Sequence, residues 1–118
     1  MSSPLWERTY AEQNEARAEW AAKACEAFGE QTGQRDYFEG PAQIAPDLLV
    51  EIGGDLLANL FHLAALNNLD PCALVRAGFL HFSEEYQEAQ EEQREEEAVR
   101  EFHARELPAL EAFLKGDQ

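Results

Sequence analysis

An all-α protein is expected, a small helical bundle with a long glutamate-rich helical extension and an amphipathic C-terminal end. Three observations predict it. Apolar residues return at steps of three and four from Trp6 to Phe28, from Leu48 to Ala64 and from Leu74 to Tyr86. Proline, glycine and asparagine collect between these stretches, at residues 33–46 and 67–71. No alternating run of useful length announces a strand. With 118 residues, 45% of them apolar, the chain is long enough for one modest core, so residues 1–118 read as a single domain.

The first helix is placed within residues 1–32. Ser3 is the expected cap, Pro4 suits the first turn with its missing donor, and Glu7 favours the positive helix end. Trp6, Tyr10, Trp20, Ala24 and Phe28 share a face, and Gly29 or Gly33 ends the helix. Residues 33–46 read as a linker that Tyr37, Phe38 and Ile44 pin to the core.

A second helix is expected over residues 47–67, opened by Pro46 and Asp47. Its apolar stripe of Leu48, Leu49, Ile52, Leu56, Leu60, Leu63 and Ala64 is wide enough to predict that it is largely buried. Gly53 and Gly54 lie mid-helix at about 1 kcal/mol each relative to alanine. A close helix crossing with no room for side chains would explain them.

Asp70 as cap and Pro71 at the first helical position restart the chain in a third helix over residues 71–106. Its apolar stripe fades near Glu88. Ten glutamates stand against three arginines between Glu84 and Glu106. The pairs Glu84–Glu88, Glu91–Glu95 and Glu92–Glu96 repel at helical spacing, whereas Glu96–Arg100 and Glu101–Arg105 attract. Pro108 is expected to kink the helix or start a new turn before the apolar end at residues 108–115. That end either folds back on the Trp6–Tyr10 region or crosses to a second copy. An oligomer or docking face of Val99, Phe102, Leu107, Leu110, Phe113 and Leu114 follows, and with it a homodimer.

The net charge of −15 restricts partners. Residues 84–118 alone carry twelve acids and four bases. Such a surface repels phosphate backbones and anionic membranes, so neither direct nucleic-acid binding nor membrane binding is expected. It suits a basic-surfaced protein. No segment reads as long and apolar enough to span a bilayer, and the first residues lack the basic and apolar regions of a signal peptide. Cys25 and Cys72, in apolar patterns without CxxC spacing, read as buried reduced thiols, which fits a cytoplasmic protein.

A polar line crosses the central helices. Asp47, Glu51, Asp55 and Asn59 recur at four-residue steps with His62 three further on, while His81 and Glu85 are four apart on the next helix. Facing each other across antiparallel helices, Glu51, Asp55, His62, His81 and Glu85 have the chemistry of a Mg²⁺, Mn²⁺ or iron site. The same pattern is also what the wet side of an amphipathic helix looks like.

The stretch Glu51-Ile-Gly-Gly-Asp55-Leu-Leu-Ala-Asn-Leu-Phe-His62 through Asn67-Asn68-Leu69-Asp70-Pro71 resembles the later helices of MazG-like all-α nucleoside triphosphate pyrophosphohydrolases. The resemblance spans about residues 48–82. It implies a helical, oligomeric, Mg²⁺-dependent enzyme that releases pyrophosphate, with Glu51 and Asp55 among its metal ligands. The family's Glu-x-x-Asp is here one residue longer, which turns the two carboxylates about 100° further apart around the helix. Its upstream Glu-Glu-x-x-Glu motif is absent.

Function is therefore expected to lie in interaction rather than catalysis. The chain reads as a non-enzymatic acidic protein, of the kind phages use as inhibitors or nucleic-acid mimics, that occupies a basic groove of a partner. Glu84, Glu88, Glu91, Glu92, Glu95 and Glu96 form its partner-binding face, and no cofactor is needed. The alternative is the pyrophosphohydrolase or a catalytically degenerate relative, with Mg²⁺ as cofactor.

Overall fold

The computed structural model describes residues 4–34 and 37–116. The protein is all-α, with one small hairpin. A single 3-10 turn, Leu5–Glu7, leads into helix α1 at Tyr10–Thr32. Strands β1 (Phe38–Gly40) and β2 (Gln43–Ile44) form an antiparallel pair. Helix α2 runs over Pro46–Leu66 and helix α3 over Pro71–Gly116.

Local chemistry explains each boundary. The start of α1 lies at Tyr10, later than Pro4 suggested, because Thr9 and Glu12 form a reciprocal cap. The Glu12 amide donates to Thr9 Oγ1 at 3.1 Å, and the Thr9 amide donates to Glu12 Oε1 at 3.3 Å. The expected cap Ser3 lies outside the described residues. Gly33, at φ 76°, ends α1 in the left-handed conformation, and the Gln34 amide reaches back to the Gly29 carbonyl at 2.8 Å.

The stretch expected as a plain linker instead closes on itself. Phe38 pairs with Ile44 and Gly40 with Gln43 around Pro41 and Ala42. Two strands this short carry no alternation for a sequence pattern to show. Tyr37, Phe38 and Ile44 are half-buried.

Pro46 begins α2 with Asp47 in its first turn. Asn67 and Asn68, the latter at φ 58°, turn the chain, and Asp70 Oδ1 accepts from the Cys72 amide at 2.9 Å to launch α3. This third helix does not stop near residue 106. It continues through Pro108 to Gly116, 46 residues in all. One proline removes one amide donor, and every described residue around Pro108 is exposed, so the freed carbonyl faces solvent. The like-charged glutamates are interleaved with partners: Gln87 donates to Glu91 and Gln93 to Glu97, each at 3.2 Å, and Arg105 meets Glu101 at 3.4 Å.

The core is thin. Its buried apolar residues among those described are Ala16, Ala22 and Cys25 from α1, with Ile52 and Ala64 from α2. Ile52, 1% exposed, is the one large side chain fully enclosed among the described residues. No described residue of α3 is buried. The expected burial of the α2 stripe is thus corrected: Leu49, Leu60 and Leu63 are exposed beside Val50, Leu57 and Leu66. Neither Gly53 nor Gly54 marks a close crossing within the chain. A Cβ at Gly53 would meet only Leu49 Cδ1 at 3.8 Å, and one at Gly54 would meet nothing within 4 Å.

A further expectation needs correcting on the same helix. By length and composition α2 is long and apolar enough to cross a membrane. Glu51 and Asp55 interrupt its apolar run, which hides that property from a search for an unbroken stretch.

The molecule is elongated, 77 × 32 × 30 Å. Its radius of gyration is 22.0 Å, whereas a compact chain of this length has about 13.5 Å.

Candidate interaction site

Helix α1 lies against the middle of α3 and divides its glutamates into two sets. The first set turns toward α1. Arg17 Nε meets Glu85 Oε2 at 2.9 Å, Asn14 Nδ2 donates to the Glu85 carbonyl at 3.1 Å, and the Tyr10 amide donates to Glu92 Oε1 at 2.9 Å. Glu92 caps and anchors α1, so this member of the expected partner-binding face is already engaged within the chain.

The second set faces solvent. Glu84, Glu88, Glu91 and Glu95 follow at steps of four, three and four, which keeps them on one stripe, and all four are exposed. Glu96 is exposed as well, next to Val99 and Arg100 on the surface. Gln87 reaches Glu91 from the preceding turn.

Beyond Glu92 the helix leaves the bundle, and every residue from 93 to 116 is exposed. Twenty-four helical residues project about 36 Å. Val99, Phe102, Leu107, Leu110, Phe113 and Leu114 lie on this projection, between 42% and 65% exposed. The apolar end therefore does not fold back on the Trp6–Tyr10 region, and Trp6 itself is 81% exposed.

The polar line across the central helices is not gathered into one site. Asp47, Glu51, Asp55, Asn59 and His62 are all exposed along α2. Asp55 Oδ2 accepts from Gln34 Nε2 at 2.7 Å, and Glu85 is held by Arg17. His81 is exposed on α3. Among the described residues no three histidine, cysteine or carboxylate side chains converge as a metal site would require.

The thiols differ from expectation in one respect. Cys25 is buried, and its burial pushes the thiol pKa above the ordinary 9.0, whereas Cys72 is exposed at the start of α3.

One surface has no counterpart among the sequence expectations. Between α2 and α3 runs an open groove of about 350 Å³ lined by Leu57, Phe61, Leu74, Val75, Phe79 and Phe82, together with Gly78. Not one of these side chains is polar. The signal was present in α2, which is apolar on more than one side; such a helix is covered on more than one side. Reading its stripe as a contact within one chain concealed this.

No family model, curated protein or solved structure matches the chain.

Proposed function

We propose that the chain is a non-enzymatic acidic interaction protein whose exposed glutamate face on α3 docks in a basic groove of a partner protein. The observation that carries this reading is the exposure of the glutamate stripe on α3. Helix α1 holds the base of the helix through Glu85 and Glu92, and the free stripe of Glu84, Glu88, Glu91 and Glu95 continues onto a bare rod. A rod fixed at one end loses little orientational freedom when it enters a groove.

The charge spacing supports mimicry of nucleic acid. Ten glutamates and three arginines between Glu84 and Glu106 leave seven net negative charges over about 33 Å of helix, one per about 4.7 Å, against 3.4 Å per charge along one strand of duplex DNA. A groove built for a phosphate backbone would meet negative charge at a density of the same order. The apolar residues from Val99 to Leu114 add contacts that DNA lacks, which favours a protein partner over non-specific attraction. An inhibitor of a nucleic-acid-binding protein, such as a phage encodes, fits this description.

The test uses a panel of basic nucleic-acid-binding proteins. Binding to at least one should weaken steeply with salt, be competed by duplex DNA, and fall at least about tenfold when Glu84, Glu88, Glu91 and Glu95 are all changed to glutamine. Binding indifferent to both salt and DNA would sink the reading.

A further inference from the structure

We propose that the α2–α3 face is the contact surface for a second copy of this chain, two hairpins pairing into an intermolecular four-helix bundle. The proposal goes beyond the acidic rod and does not depend on it, because the rod and this face share no residue.

Surface area is the first argument. The chain exposes 9529 Å², while a compact monomer of 13.3 kDa exposes about 6,500 Å². The excess of about 3,000 Å² is divided between the projecting rod and the bare hairpin. Obligate dimers bury about 2,000–5,000 Å² in total, or about half that from each chain. A pairing of this size fits within the excess.

The location of the apolar residues is the second argument. Phe79 and Phe82 are 68% and 59% exposed, next to Leu57 and Val75 on the same groove. Gly78 lines this face, and a Cβ there would meet nothing within 4 Å, so an approaching helix has room. With so few buried apolar residues among those described, the chain leaves this face without an apolar cover of its own. A second copy is present wherever the first is.

Charge fixes where a second copy can sit. Two chains of −15 repel across most of their surfaces, and the groove, which carries no ionisable side chain, is where they meet the least like charge. A lipid surface fits less well. Glu51 and Asp55 sit in the middle of α2 and would have to be desolvated in a bilayer.

The experiment combines sedimentation of the full chain with isotope-filtered nuclear Overhauser spectroscopy on a mixture of labelled and unlabelled protein. The expected result is a mass twice 13.3 kDa, with intermolecular contacts at Leu57, Phe79 and Phe82. Phe79→Glu should lower the dimer population at least tenfold; the spectroscopic contacts of the unaltered chain decide the matter if this variant fails to fold. A monomer at all concentrations overturns the proposal, as does a dimer whose contacts are confined to Val99–Leu114. So does a monomer that binds neutral phospholipid vesicles through α2. None of these outcomes changes the salt and DNA test of the acidic rod.

Discussion

Helices α1 and α2 reverse the usual relation between composition and burial. α1 is rich in glutamate, alanine and glutamine, yet Ala16, Ala22, Cys25 and Gly29 are buried along it. α2 is the most apolar helix of the chain, yet only Ile52 and Ala64 are buried. Small side chains let α1 approach both other helices closely, so a weakly hydrophobic face is well covered. Bulky leucines around α2 offer more surface than α1 can cover. An apolar pattern measures how much surface must be removed from water, and it does not say which molecule removes it.

Ile52 and Leu63 turn this contrast into numbers. Ile52→Ala removes the one large side chain that is fully enclosed among the described residues and should cost about 2–5 kcal/mol, read from urea unfolding followed by circular dichroism. Leu63, 57% exposed on the same helix, should change stability by less than about 0.5 kcal/mol when cut to alanine. Equal losses at the two positions would break the comparison, because they would mean that α2 is covered all round in solution.

The fold was legible to the extent that its signals are local. Pro46 and Asp47 mark the start of α2, and Asp70 with Pro71 marks that of α3, because caps and first-turn prolines act within four residues. The Thr9–Glu12 box is just as local, but Ser3 and Pro4 imitate a helix start closer to the first residue. The hairpin at Phe38–Ile44 was not legible, since two residues in a strand have no period. Nor was the continuity of α3: Pro108 reads as a kink or a new turn, yet the helix runs through it to Gly116. The acidic face was legible as composition, but its division was not. That Glu85 and Glu92 turn inward while Glu84, Glu88, Glu91 and Glu95 stay free depends on where α1 lies. Nothing in their own spacing contains that information.

A milder perturbation sharpens the α1 side of the comparison. Gly33 holds φ 76° with nothing within 4 Å of the position a methyl would take, so Gly33→Ala meets no clash and isolates the backbone contribution. A non-glycine residue in this conformation costs about 1 kcal/mol. The midpoint of urea unfolding should fall accordingly with the slope unchanged. No change at all would mean that the end of α1 is frayed in solution and that its close packing on α2 stops short of Gly29.

A smaller effect than at Gly33 belongs to the clamp between α1 and α3. Arg17 sits between two partners, Glu85 at 2.9 Å and Asn14 at 2.7 Å, and Asn14 in turn holds the Glu85 carbonyl. Both charged side chains are about one-third exposed, so water screens the pair and its coupling should be about 0.2–1 kcal/mol. A double-mutant cycle with Arg17→Met and Glu85→Gln measures it, and the coupling should shrink as salt is raised. The sign matters more than the size. Because α3 has no buried described residue, polar contacts at Glu85 and Glu92 largely fix where the rod leaves the bundle. A coupling of zero at low salt would leave the Tyr10–Glu92 and Asn14–Glu85 hydrogen bonds, with the small residues of α1, to set the direction in which α3 leaves the bundle.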